Sequence, residues 1–203
     1  MPDAMGIDLT RAQDHLSSAC DVMATLITLH TPPDITPKPP EQYFSVLVSS
    51  IVGQQLSVKA AETIEGRVLV ALGPHDPGVL AHTSVEALRE LGLSRSKASY
   101  IIAMAEAFLE GTIDPQALAA SDSETVIEAL TSLRGIGPWT AEMFLIFGMG
   151  QPDVWSPGDL GLKKAVWAHF GEGVDTSEIA QRWRPFRSYA ALYLWEFTDN
   201  RPQ

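Results

Sequence analysis

The feature that most constrains this chain of 203 residues is a glycine-rich turn that leads into an apolar stretch. The segment Leu133–Gly137 contains two glycines one residue apart, Gly135 and Gly137, and Pro138 follows at once. Glycine takes positive φ without steric cost, and proline suits the first position of a helix because its missing N–H is not needed there. The pattern predicts a tight hairpin with positive φ at its glycines. The helix that follows would offer its free N–H groups and positive dipole end to a phosphate.

A single carboxylate lies downstream of this hairpin. Asp159 stands between Ser156–Gly158 and the helical pattern of Leu160–Phe170. An aspartate directly before a helix is most often an N-cap, and that structural role alone would explain it. A phosphate seat followed by a carboxylate is nevertheless a stronger indication of a functional site than either feature alone.

The apolar periodicity of the chain is helical throughout. Ser57, Ser94 and Asp114 are predicted to begin helices. Capping boxes are predicted at Thr83 and Ser121, because each is followed by Glu three residues later. There is no alternating strand pattern and no internal repeat. We therefore expect an all-α fold, a two-lobed helical bundle of about ten helices.

The composition limits the classes of function. The formal net charge of −11 argues against non-specific nucleic-acid binding, which depends on cations that neutralise phosphates. The single Cys20 excludes an internal disulfide and a four-cysteine metal or iron–sulfur site, and the five histidines show no metal-ligand spacing. No apolar run is long enough for a membrane span and no signal peptide is recognisable, so we expect a cytoplasmic protein. The cations that could form a basic strip are Lys59, Arg95, Lys97, Arg134, Lys163, Lys164, Arg182, Arg184 and Arg187.

The hairpin followed by an aspartate resembles the helix-hairpin-helix DNA glycosylase superfamily, and within it the alkylpurine (3-methyladenine) DNA glycosylases. The resemblance extends from about Arg11 to Phe197. It implies an enzyme of base excision repair that flips an alkylated base, mainly a cationic methylpurine, out of double-stranded DNA and hydrolyses its N-glycosidic bond. The segments that carry it are Gly53–Ser57, Leu133–Ala141, Ser156–Leu162 and Arg182–Ala190.

The resemblance also implies a domain organisation. We expect residues 1–40 to form an N-terminal helix and a proline-rich connector that pack on the C-terminal lobe. Residues 41–150 would form a helical lobe with the helix-hairpin-helix motif at about 123–149, and residues 151–203 the catalytic-aspartate loop and the last helices. Only about forty residues precede Glu41, so we expect the compact form without the N-terminal β-rich domain of longer members.

Asp159 matches the catalytic position of the family. A carboxylate there stabilises the positive charge that builds on the sugar as the base leaves, and can orient the attacking water. Bifunctional relatives have a lysine just after the hairpin, where this chain has Trp139. Without that amine no Schiff base forms, so the resemblance implies a glycosylase without lyase activity. Trp139 and Trp195 match residues of the base pocket, although tryptophan in an all-α core is most often plain packing. Met143 lies in the same pocket by the resemblance, but it departs from the family, because the longer alkylation enzymes have a tyrosine there.

The remaining site residues also follow from the resemblance. The hairpin residues Arg134, Gly135, Ile136 and Gly137 would bind DNA. The carbonyls of Thr131, Leu133 and Ile136 would hold a structural monovalent cation, and no catalytic cofactor is expected. The wedge that fills the gap left by the flipped base would be Gln55, with Leu56 as the neighbouring alternative. Phosphate contacts are predicted for Lys59, Arg95 and Lys97.

Two other functions stay open at this point. A non-catalytic helix-hairpin-helix module would clamp DNA through the hairpin, but it would need neither Asp159 nor the aromatic positions. An oxidised-guanine glycosylase/lyase is disfavoured by Trp139, which replaces the lysine. In the favoured function the partner is double-stranded DNA with alkylated bases, no membrane is involved, and the protein acts as a monomer.

Overall fold

In the computed structural model, residues 9–30 and 35–198 are described. Over these residues the chain forms thirteen α-helices and two short 3-10 helices and contains no strand, which confirms the all-α prediction. The described chain divides into two compact units. One unit contains the residues up to Pro37 and those from Leu145 onward, and the other contains Lys38–Phe144. The first part of the predicted connector, 31–34, and the terminal residues 1–8 and 199–203 lie outside the described residues.

The Lys38–Phe144 unit is built around helix α7, against which α3, α5 and α6 pack. The side chains of Leu47, Ile51 and Ile101 are fully or almost fully buried in its core. Its elements, in chain order, are a 3-10 turn (Pro40–Gln42), α3 (Tyr43–Gly53), α4 (Val58–Leu72), α5 (Pro77–Ala81), α6 (Val85–Glu90), α7 (Arg95–Leu109), α8 (Pro115–Ala120), α9 (Ser123–Thr131) and the first part of α10 (Pro138–Phe147).

Side-chain caps fix where most of these helices begin. Ser57, Ser94 and Asp114 each accept a backbone N–H of the first turn, as predicted. The two predicted capping boxes are displaced by one residue. The actual caps are Ser84 and Asp122, which accept the N–H groups of Ala87 and Thr125.

The other unit joins the two ends of the described chain. Helix α2 packs on α13, and α11 also packs on α13. The predicted helical stripe of Leu9–His30 is broken at Cys20, whose backbone is extended with φ −167° and ψ 153°. This unit contains α1 (Leu9–Ala19), α2 (Asp21–Leu29), the end of α10, α11 (Leu160–Phe170), α12 (Thr176–Ala180), a 3-10 turn (Gln181–Trp183) and α13 (Arg187–Thr198).

Helix α13 is the central element of this unit. All eight residues from Ser188 to Trp195 are buried, as the apolar pattern of this segment predicts. The described part of the connector lies close to Gly150, which has φ +66°. A Cβ at this glycine would lie only 2.8 Å from the carbonyl oxygen of Ile35, so the close approach requires glycine. In the part of the chain that is described, none of the helices is both long and apolar enough to cross a membrane.

Candidate functional site

Asp159 is the N-cap of helix α11 and is only 7% exposed. Its Oδ1 accepts the backbone N–H of Leu162 at 2.7 Å and the indole N–H of Trp195 at 3.0 Å. Two N–H donors on one oxygen, together with the positive end of the helix dipole, complement a negative charge at this position. The carboxylate has four lone-pair positions, so these two bonds do not exhaust its capacity to accept. The N-cap role and a catalytic role are therefore compatible.

Trp195 connects Asp159 to helix α13. Its side chain is fully buried, and its ring stacks on Phe147 with centroids 6.2 Å apart and an interplanar angle of 29°. A buried indole N–H needs an acceptor, and here it has the Asp159 carboxylate. The structure thus gives Trp195 a role in orienting Asp159. Its predicted role as a wall of the base pocket stays a prediction.

The loop before Asp159 is hydrogen-bonded to the first turn of helix α13. Ser188 is fully buried, and its hydroxyl donates to the Gln151 carbonyl at 2.6 Å and accepts the N–H of Val154 at 2.9 Å. The N–H of Ser188 also donates to the Pro152 carbonyl at 2.9 Å. Helix α13 therefore contacts the loop and Asp159 at two points, through Ser188 near its start and through Trp195 two turns later.

An ion pair strengthens the first of these attachments. Arg187 Nε donates to Asp153 Oδ1 at 2.6 Å, and its Nη2 donates to Oδ2 at 3.0 Å and to the Asp153 carbonyl at 2.7 Å. The bidentate geometry and the 14% exposure of the Arg187 side chain set this pair apart from ordinary surface ion pairs. Arg187 belongs to the basic residues of the last third of the sequence, but its guanidinium is occupied within this unit.

The hairpin lies between helices α9 and α10 in the other unit. Gly135 has φ +94°, as predicted. A Cβ on Gly135 would lie 2.8 Å from Tyr100 Cβ and closer still to the ring, so the tyrosine requires glycine at this position. The Arg134 guanidinium lies 5.8 Å from the centroid of the same ring. Tyr100 thus supports the turn from one side, a role that its sequence context did not indicate.

The second glycine of the hairpin, Gly137, does not have the backbone conformation that the sequence predicts. Gly137 is not among the glycines with positive φ, and a Cβ built on it meets no atom within 4 Å. Its carbonyl accepts the N–H of Ala141 at 3.1 Å, which places Gly137 at the start of helix α10. The prediction of positive φ at Gly137 is therefore wrong. The position is exposed, and the space that a side chain would occupy there is open.

The predicted wedge lies in a tight turn after helix α3. The N–H of Leu56 donates to the Gly53 carbonyl at 3.1 Å, which closes a four-residue turn. Gln54 has φ −49° and ψ 126°, and Gln55 has φ +59°. Gln55 is the one non-glycine residue with positive φ among the described residues. Its side chain is exposed, and that of Leu56 is 39% exposed.

Lys97 and Gln54 bond to this turn and to the hairpin. The Lys97 ammonium donates to the carbonyls of Val52 at 2.8 Å and of Gln54 at 2.5 Å. Burial lowers the pKa of Lys97 from its usual value. The side-chain amide of Gln54 donates to the Gly135 carbonyl at 3.0 Å and to Thr140 Oγ1 at 3.4 Å. Sequence reasoning did not anticipate these contacts, because they join residues more than forty positions apart.

The other predicted phosphate contacts lie on the surface. Lys59 is exposed in the first turn of α4. Arg95 forms an ion pair with Glu86 at 3.3 Å, in which both side chains are about two-thirds exposed, and such pairs contribute little to stability. Both residues are accessible to a ligand, and their contacts with phosphate stay predictions.

The remaining predicted pocket residues differ in accessibility. Trp139 is half-buried in the first turn of α10, whereas Met143 is 3% exposed on the same helix. The hairpin carbonyl of Leu133 accepts the N–H of Ile136 at 3.2 Å, and a carbonyl oxygen has a second lone pair that a cation could use. Among the described residues, no three histidine, cysteine, aspartate or glutamate side chains are grouped so that they could hold a metal ion.

Comparison with known proteins identifies the family to which the chain is similar. Residues 48–185 match the sequence profile of the HhH-GPD superfamily of base excision DNA repair proteins. The chain is 32% identical, over 75% of its length, to the putative DNA-3-methyladenine glycosylase YfjP of Bacillus subtilis, and it spans 58% of that protein.

Two solved structures are similar to the chain over nearly their whole length. A DNA-3-methyladenine glycosidase from Bacillus halodurans is 37% identical, with a TM-score of 0.78 over 94% of this chain and 89% of that one. The 3-methyladenine DNA glycosylase Mag1 of Schizosaccharomyces pombe, in complex with abasic DNA, is 28% identical. Its TM-score is 0.82 over 93% of this chain and 97% of that one.

Proposed function

Because the chain belongs to the HhH-GPD superfamily of base excision DNA repair proteins, we propose that it is a DNA glycosylase that hydrolyses the N-glycosidic bond of alkylated bases. The observation that carries this proposal is the environment of Asp159. A low-exposure carboxylate is oriented by a helix N-terminus and by a buried indole, and its loop is fastened to helix α13. A module that only clamps DNA has no need of this arrangement.

In the proposed reaction Asp159 acts on the sugar. As the bond between C1′ and the base nitrogen breaks, positive charge develops on the deoxyribose, and a fixed carboxylate stabilises that charge. Partial burial makes this stabilisation stronger than it would be in water. The same carboxylate can orient the water that adds to C1′. The electron pair of the broken bond leaves with the base, and the proton that the water loses passes to the solvent. The products are a free base and an abasic site.

The proposed enzyme is monofunctional. Trp139 stands where the bifunctional relatives place the lysine that forms a Schiff base with the sugar, and an indole cannot act as that nucleophile. Strand cleavage would therefore require a separate activity. Trp139 is half-buried, and its indole is proposed to stack on the flipped base.

DNA binding is proposed to begin at the hairpin. Helix α10 starts at Pro138, directly after the exposed Gly137, and the first N–H groups of this helix would bind a phosphate. Backbone donors of this kind bind phosphate without changing the formal charge, so the net charge of −11 is compatible with this seat. Lys59, Arg95 and Arg134 would add contacts along the backbone. We expect a modest affinity that falls steeply with salt.

The proposed substrates are cationic methylpurines. Methylation at N3 of adenine or N7 of guanine places a positive charge on the base, which weakens the glycosidic bond. The charged ring is also attracted to an indole by about 0.5–2 kcal/mol, depending on desolvation. Few specific hydrogen bonds are needed, so several alkylated bases would be accepted.

Three accompanying properties are proposed with the activity. The carbonyls of Thr131, Leu133 and Ile136 would hold a monovalent cation that bridges to a DNA phosphate and takes no part in the chemistry. No catalytic cofactor is expected. The protein would act as a monomer in the cytoplasm.

A panel of duplex oligonucleotides tests the proposal, with each duplex bearing one defined lesion and release of the free base measured under single-turnover conditions. We expect faster release of 3-methyladenine and 7-methylguanine than of the neutral lesions 8-oxoguanine and uracil. Equal rates on 3-methyladenine and 8-oxoguanine would contradict the substrate class. Tight binding without release of any base would instead support a non-catalytic DNA-binding module.

A further inference from the structure

The turn that carries Gln55 has an unfavourable backbone. The angles of Gln54 and the positive φ of Gln55 are those of a type II turn, whose third position favours glycine or asparagine. Glutamine has a Cβ and a longer side chain, so a φ of +59° is costly for it. Such a residue persists where the surrounding structure holds it in place, and strain of this kind is concentrated at functional sites.

The residue that holds the turn is itself in an unfavourable position. Lys97 lies in the first turn of α7, at the positive end of the helix dipole, and burial lowers the pKa of its ammonium. Both effects oppose a lysine here. The ammonium instead donates to the carbonyls of Val52 and Gln54 at the C-terminal end of α3. The last carbonyls of a helix accept no N–H from within that helix, so Lys97 supplies the donor that they need.

A second attachment comes from Gln54. Its side-chain amide donates to the carbonyl of Gly135, which is the hairpin residue with positive φ. The backbone of Gln54 is thus held by Lys97, and its side chain is held by the hairpin. Gln55 follows directly, with an exposed side chain that forms no part of this network.

We infer that Lys97 and Gln54 are positioning residues that hold Gln55 in the strained, outward-facing conformation in which it enters the DNA duplex. This inference rests on the proposed function, because it assigns Gln55 the role of the wedge. It also changes the role of Lys97. Two of the three ammonium donors are engaged with carbonyls, and a phosphate that drew the ammonium away would release the turn.

Salt dependence distinguishes positioning from phosphate contact. Each phosphate contact contributes close to one unit to the slope of log affinity against log salt concentration. The exposed Lys59 provides the matched comparison. Binding of wild type, Lys97→Met and Lys59→Met would be measured at several salt concentrations. The two probes are an undamaged duplex and the same duplex with a stable abasic-site analogue.

We expect Lys59→Met to weaken binding to both duplexes equally and to reduce the slope by about one. Lys97→Met should keep the wild-type slope and lose about tenfold of the preference for the abasic duplex, because the gap is no longer filled by a fixed wedge. If Lys97→Met instead reduces the slope by about one and weakens both complexes equally, the ammonium is a phosphate contact and the inference is wrong.

Two further variants test whether Lys97 acts through Gln55. Gln55→Gly relieves the strained φ and should be at least as stable as wild type in thermal unfolding, yet it should lose the same preference for the abasic duplex. The double variant Lys97→Met/Gln55→Ala should bind the abasic duplex no more weakly than Gln55→Ala alone, because Lys97 acts only through Gln55. Additive losses would overturn the inference, as would a Gln55→Gly variant that retains the full preference.

These binding experiments do not depend on turnover. If the wild-type protein prefers the abasic duplex but releases no base from methylated DNA, the proposed enzymatic function is wrong. The positioning role of Lys97 is then still tested by the binding preference of its variants. If the wild-type protein releases bases and Lys97→Met behaves like Lys59→Met, only the positioning role fails.

Discussion

The indole N–H of Trp195 donates to Asp159 Oδ1 at 3.0 Å, across thirty-six positions of sequence and between two helices that pack on each other. This bond converts a common N-cap into a carboxylate whose orientation is fixed by a second element. It also explains why a tryptophan is useful at this fully buried position, where a phenylalanine would supply a ring but no hydrogen-bond donor.

The first prediction concerns this bond. Trp195→Phe keeps an aromatic ring beside Phe147 but removes the donor to Asp159. A hydrogen bond to a charged group contributes about 1.5–3 kcal/mol. If that stabilisation is expressed in the transition state, single-turnover base release should fall by about tenfold to a hundredfold. Affinity for an undamaged duplex should stay at the wild-type value.

Trp183→Phe is the matched control. Trp183 is also fully buried, and among the described residues its indole nitrogen has no hydrogen-bond acceptor. This control should reduce thermal stability without a specific loss of base release. Equal losses of activity in the two variants would mean that the indole bond to Asp159 has no role of its own.

The second prediction separates the two hairpin glycines. Gly135→Ala forces a side chain into the Tyr100 ring at a residue with φ +94°. Strain of this kind costs about 1–3 kcal/mol, so the variant should unfold at a lower temperature. An unchanged melting temperature would show that the Tyr100 contact is not rigid.

At Gly137, in contrast, a substitution should change DNA affinity and leave thermal stability unchanged. Aspartate is a favoured N-cap and its Cβ would meet no atom within 4 Å, so Gly137→Asp should be as stable as wild type. Its carboxylate would cap the first N–H groups of α10 and repel a phosphate, and affinity for any duplex should fall at least about tenfold. Gly137→Asn lacks the charge, so its affinity for duplex DNA should fall less than that of Gly137→Asp. Wild-type affinity in Gly137→Asp would exclude the hairpin as the phosphate seat.

The third prediction concerns strand cleavage. Because Trp139 stands where lyases have lysine, borohydride added during turnover should trap no covalent complex between protein and DNA. Strands should break only after added base or heat. A trapped band with the wild-type protein would show that an amine of the protein attacks the sugar, which would contradict the monofunctional proposal.

Local chemistry was sufficient to predict much of this protein. The hairpin at Gly135, the cap at Ser57 and the helix that begins after Asp159 each depend on residues only a few positions apart. The capping boxes at Thr83 and Ser121 were wrong by one residue because Ser84 and Asp122 are equally able to cap. Which of two adjacent caps is used depends on the direction in which the helix must present its apolar face.

The rest depends on packing between distant segments. Nothing near Lys97 in sequence indicates that its ammonium reaches the end of α3, and nothing near Trp195 indicates its bond to Asp159. Gly137 shows the converse error. The sequence predicts positive φ there, whereas the structure has Gly137 at the start of helix α10 without positive φ and with open space around it.

The proposed catalytic role of Asp159 is tested most directly by measuring single-turnover release of 3-methyladenine by Asp159→Asn. Asparagine can still accept the N–H groups of Leu162 and Trp195 through its carbonyl oxygen, so the variant should fold and bind lesion DNA within a few-fold of wild type. Without the charge it cannot stabilise the developing cation, and base release should be nearly abolished. Release at the wild-type rate, from a variant that binds normally, would contradict the assignment of Asp159 as the catalytic residue.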